Sequence, residues 1–180
     1  MIGDKNKKLK GITLIEILVA LSIFSIVSTG AVSLFSSLIK NQKTLLDRAY
    51  VLNTLSYSIE YTSKALRMAQ KDMVGGCVGV GKKFTLISSS NIKFLNSNNE
   101  CQEFFLENGA LKVRKRGIAQ NLTPSNVVVE NVFFVLLGEG QEDNLQGKVS
   151  FSLKARSTNN DVSPFLIQTT VSQRMLDVFY

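Results

Sequence analysis

From Ile12 to Ile39 the chain holds an uninterrupted apolar run whose only charged residue is Glu16. As a helix rising about 1.5 Å per residue this run is roughly 42 Å long, enough to cross a bilayer. Nothing else in a 180-residue chain constrains the fold as strongly. The remainder suffices for one domain with its own core, while this segment needs lipid or other apolar helices around it. Placing a lone carboxylate in such surroundings costs several kcal/mol unless a partner neutralises it.

A short basic leader precedes the run. Lys5, Lys7, Lys8 and Lys10 against Asp4 give residues 1–11 a charge of +3, so that only +4 of the chain's +7 belongs to the rest. The basic balance is therefore partly a topological signal, since Lys ahead of an apolar span holds that end in the cytoplasm. It is no argument for a nucleic-acid partner. Cutting the Gly11–Ile12 bond would create the missing partner for Glu16, the positive α-amine of Ile12 on another copy of the chain.

The stretch Lys8-Leu9-Lys10-Gly11-Ile12-Thr13-Leu14-Ile15-Glu16 resembles the N-terminus of type IV prepilins and pseudopilins. Their pattern is a basic leader, Gly, a hydrophobic residue and then Thr-Leu-Ile-Glu. The resemblance covers about the first forty residues. It implies that a prepilin peptidase and methylase cuts after Gly11 and methylates the amine of Ile12. Glu16 then acts in assembly, by pairing with a neighbour's N-terminus. Where the family usually has Phe, this chain has Ile12. Two other readings of the run are a removable secretory signal, cleaved at Ser28-Thr29-Gly30, and an ordinary single-span anchor.

Composition narrows the chemistry. The chain has no His, which removes imidazole catalysis and His-containing zinc sites, and its two Cys do not make a tetrahedral thiolate site. No residue pattern marks a catalytic, cofactor-binding or metal-ligating site, so the expectation is a structural protein rather than an enzyme.

Beyond Ile39 the pattern stays helical but becomes amphipathic. Leu45, Ala49, Leu52, Leu55, Ile59, Leu66 and Ala69 fall mostly three or four apart, and neither Pro nor Gly interrupts the chain from Ala31 to Met73. The expectation is one helix from about Ile12 to Met73, ended by the glycines from Gly75 to Gly81. Its membrane and assembly part is 12–39 and its amphipathic part 40–73. Residues 74–180 then read as a β-rich head. Short strands are expected at 84–87, 92–95, 104–106, 111–114, 127–137, 148–156 and 165–171, with a hairpin at Glu107-Asn108-Gly109-Ala110. The alternation in 148–156 implies an antiparallel sheet covered on one face, with residues 45–70 as its cover. The fold class is α+β: a long N-terminal helix carrying an antiparallel sheet, as in pilins.

The later segments are similar to J-type minor pseudopilins. The likeness consists of a Cys near a Phe-rich strand, Leu122-Thr123-Pro124, the run Val127 to Phe134, an alternating strand and a last strand ending near Arg174. Major pilins commonly kink the helix with a Pro about twenty residues past the cleaved bond, where this chain has Val32-Ser33-Leu34. The resemblance thus implies a minor subunit of a type IV pilus or type II secretion pseudopilus. Its implied partners are other pilins or pseudopilins, the assembly platform of the inner membrane, and the bilayer before assembly. The leader is then cytoplasmic and the head outside. There, oxidation would let Cys77 and Cys101 form a bridge worth roughly 3–4 kcal/mol on the chain-entropy model; otherwise they are two small buried residues.

Three motifs have sharper readings. Gly76-Cys77-Val78-Gly79-Val80-Gly81-Lys82 fills the first positions of a phosphate-binding loop, but Lys83 stands where the hydroxyl is needed, and a helix rather than a strand precedes it. Lys112, Arg114 and Arg116, with Lys115 beside them, could form a DNA-contacting patch or a solvated strand face. No aromatic residues interleave them, which argues against DNA and leaves a DNA- or substrate-binding head as the alternative function. Asn121-Leu122-Thr123 fits a glycosylation pattern by chance.

Overall fold

The computed structural model describes residues 11–138, 147–159 and 163–172. One long helix and two antiparallel sheets account for its regular structure. Helix α1 runs Leu14–Arg67. Strands β1 (Phe84–Ser88), β2 (Asn91–Leu95), β3 (Cys101–Glu107), β4 (Ala110–Lys115) and β5 (Ile118–Asn121) form the first sheet in sequence order. Strands β6 (Val127–Leu137), β7 (Lys148–Ser157) and β8 (Phe165–Ser172) form the second. The α+β class with a long apolar N-terminal helix is therefore the observed one. Leader residues 1–10 and Arg174 lie outside the described residues.

The chain divides into two compact units, Met1–Lys43 and Thr44–Tyr180. In the second unit a single core joins all layers: Val51, Leu55 and Leu66 from α1, Ile92, Phe94 and Phe104 from the first sheet, and Val132, Phe134, Phe151 and Leu153 from the second. Phe94 stacks on Phe104, their ring centroids 5.6 Å apart, and Tyr61 meets Phe104 edge-on. The β3–β4 hairpin turns through Asn108 and Gly109 with φ of 52° and 70°, the two positive values that the Asn-Gly dipeptide tolerates.

Three expectations need correction. The helix stops at Arg67 rather than Met73, and the glycines are not what stops it. The Gln70 N–H donates to the Leu95 C=O at 2.9 Å, and Asp72 exchanges backbone bonds with Gly81 and Lys82. Tertiary pairing to a strand and a loop takes the groups that another helical turn would need. The buried face of α1 is Val51, Leu55, Ser58, Thr62 and Leu66, while Leu45 is 62% and Leu52 38% exposed. Two hydroxyl residues, Ser58 and Thr62, stand in the middle of that face, and Ser58 donates its hydroxyl proton to the Thr54 C=O. Strand β5 was not expected. Its residues are all exposed, so no burial pattern marks it, and only the Arg116-Gly117 turn betrays the hairpin.

Candidate functional site

No residue from 11 to 43 is buried. Ile12, Leu14, Phe24, Ile26 and Leu34 are each more than two-thirds exposed, a density of uncovered apolar surface that water does not tolerate on a stable protein. Three hydroxyls in this stretch are satisfied inside the helix: Ser22, Ser25 and Thr29 each donate to the carbonyl four residues earlier at 2.8 Å. A helix that closes its own polar groups this way suits an apolar medium. Length and apolarity make α1 able to cross a membrane.

At its start, the C=O of Thr13 accepts from the N–H groups of Glu16 (3.1 Å) and Ile17 (3.3 Å). Thr13 is thus the cap, and Glu16 sits in the first turn, where the helix dipole favours a negative charge. Thr13 and Glu16 have the spacing of a capping box, a signal present in the sequence. The box is not closed, because the Glu16 carboxylate makes no hydrogen bond or ion pair among the described residues. Gly11 has no atom within 4 Å of the place its Cβ would occupy, so its surroundings within this chain do not demand glycine. Gly11, Ile12 and Glu16 are therefore brought together at one exposed helix end, with the carboxylate unpaired among the described residues.

Residues 6–32 match the Prokaryotic N-terminal methylation motif. The match supports a type IV pilin-like or pseudopilin subunit, anchored in a membrane through the apolar helix. The family that this motif marks is structural rather than catalytic, and the motif implies processing by a prepilin peptidase and assembly with other pilins. No curated protein and no solved structure matches the chain.

Away from the methylation motif, the other candidate residues resolve into structure. The glycine-rich loop is organised by Asp72, a residue that sequence reasoning passed over. One carboxylate oxygen accepts from the N–H groups of Val74 (3.1 Å) and Gly75 (2.6 Å), the other from those of Cys77 (2.7 Å) and Val78 (3.0 Å). Those bonds, Val78 and Cys77 foremost, hold the Asp72 carboxyl down at about 2 against the cost of its burial. A phosphate loop offers just such N–H groups to an anion, and here the chain's own carboxylate occupies them. Cys77 and Cys101 are disulfide-bonded with Cα atoms 5.5 Å apart, tying the same loop to β3.

The basic stripe on β4 is a ladder of ion pairs with β3. Lys112 meets Glu107 at 2.7 Å, Arg114 meets Glu103, and Arg116, in the turn beyond the strand, meets Glu100. The partners push the Glu107 and Glu100 carboxyls below their usual range, chiefly through the hydrogen bonds from Lys112 and Arg116. Arg114 also lies over the Phe105 ring, and Lys115 over that of Tyr61. Each cation is thus already engaged, which removes most of the electrostatic drive for a polyanion. Thr123 of the chance sequon is buried and accepts the Leu111 N–H at 3.1 Å.

Proposed function

We propose that the chain is a minor pilin or pseudopilin, a structural subunit of a type IV pilus or a type II secretion pseudopilus of the J-type kind. The observation that carries this reading is Glu16, whose carboxylate has no partner among the described residues, at the start of an exposed apolar helix and inside the stretch that matches the methylation motif. The leader, residues 1–11, faces the cytoplasm of a bacterial cell. A prepilin peptidase cuts the Gly11–Ile12 bond and the released amine of Ile12 is N-methylated. The helix then leaves the inner membrane for the filament, with residues 74–180 in the extracytoplasmic head.

Glu16 supplies selectivity in that transfer. Its charge is costly in lipid and is compensated when it meets the Ile12 amine of a neighbouring subunit, an attraction strengthened by the low dielectric. Replacing Gly11 by a bulky residue should leave the full-length precursor in the membrane, read as the mass of its N-terminus. Glu16→Gln should leave insertion and the folded second unit intact while lowering incorporation into filaments. A mature N-terminus other than Ile12, or normal incorporation of both variants, refutes the mechanism.

A further inference from the structure

Strand β6 crosses the hairpin ends of the first sheet and extends past its last strand. Its Val129 N–H donates to the Gly109 C=O of the β3–β4 turn (2.8 Å), and its Phe134 N–H to the Ser89 C=O of the β1–β2 turn (2.7 Å). Along one edge of an antiparallel strand such groups recur every second residue, and the bulge between Val129 and Asn131 explains the odd spacing of these two. The next outward group is Leu136, which lies beyond β1, and β1 ends the sheet.

Among the described residues no strand pairs with the outer edge of β1 either. Gln70 bonds the Leu95 C=O from the β1 side of β2, which makes Thr85 and Lys93 a hydrogen-bonded pair. The N–H and C=O of Phe84 and Leu86 therefore point outward. No charge and no Pro stands within Phe84–Ser88 to discourage pairing. Between this edge and the overhang of β6 lies a cleft of about 640 Å³, with Phe84, Leu86, Phe133 and Leu136 among its walls. Phe133 remains 46% exposed. Among the described residues Lys82 is the one charged residue lining the cleft, at the Phe84 end, and it makes no ion pair with them.

We propose that this cleft takes an extended segment of a second, different polypeptide, added antiparallel to β1 as a sixth strand of the first sheet. Open backbone groups along β1 call for an extended chain, and the aromatic and aliphatic walls call for apolar side chains at alternate positions. Lys82 calls for a carboxylate near the C-terminal end of the segment, the end that antiparallel pairing brings to Phe84. The N-terminal end then abuts Leu136, as the two existing hairpins abut Val129 and Phe134.

The test uses the full chain in detergent micelles and the synthetic peptide acetyl-SVTVTVDG-amide, with amide exchange followed residue by residue. Millimolar peptide should slow exchange at Phe84, Leu86 and Leu136 by about tenfold and leave the β8 edge unchanged. An analogue with Lys in place of the peptide's Asp should bind about tenfold more weakly, and Lys82→Glu should restore its binding. Unchanged exchange at β1, equal slowing at β8, or indifference to the charge swap overturns the proposal. So does slowing without peptide as protein concentration rises, which would assign the cleft to a second copy of this chain.

Discussion

The Cys77–Cys101 bridge allows a stability prediction with a magnitude. It closes a loop with a sequence separation of 24, which contains β1 and β2. On the chain-entropy model, cross-linking a loop of that length removes about 3.5 kcal/mol worth of freedom from the unfolded chain. Changing both Cys to Ala should therefore destabilise the second unit by about that amount, equivalent to a fall in melting temperature of roughly 10 °C for a unit of this size. The loop should keep its shape, because Asp72 and the pairing with Lys82 hold it without the bridge. The assay is thermal melting of the full chain in detergent, followed by circular dichroism, with and without reductant. Reductant should lower the melting temperature of the native chain to that of the double variant and leave the variant unmoved. A loss below about 1 kcal/mol would refute the reasoning, because the unfolded chain would then already hold the two residues together.

Asp72→Asn should lower the melting temperature at neutral pH. Asp72 has its carboxyl depressed from 3.8 to about 2, so its stabilisation is complete above the upper value and fades as pH falls towards the lower; the gap between native chain and variant should close over that window, and a gap constant down to pH 2 would exclude the charge as its cause. Leu55→Ala, at a fully buried point where helix and sheets meet, should cost about 2–5 kcal/mol in urea unfolding, and a loss under 1 kcal/mol would show that the core collapses around it. Replacing Glu100, Glu103 and Glu107 together by Gln should release the cations of β4 and the turn and move elution from immobilised DNA to higher salt; unchanged elution would mean that the ladder does not mask them.

What the amino-acid order determined was everything that depends on neighbours along the chain. A long run with one carboxylate, a helical period turning into an alternating one, and Asn108-Gly109 between apolar strands are local facts. They made the helix, most strands, the β3–β4 turn and the candidate assembly residues legible before any contact was known. Contacts between distant residues decided the rest. The last turn of the expected helix was lost to Leu95 and Lys82, partners far along the chain. The face of α1 that is buried was set by the sheets packed on it, which admitted Ser58 and Thr62 in place of Leu45 and Leu52. Nothing in the sequence singled out Asp72, and only the fold of the glycine loop turned four N–H groups towards it. The cations of β4 looked free because their carboxylates lie on another strand, and strand register alone brings Glu103 beside Arg114. Periodicity reports which residues want to be buried; the partner that buries or neutralises each one is a property of the folded chain.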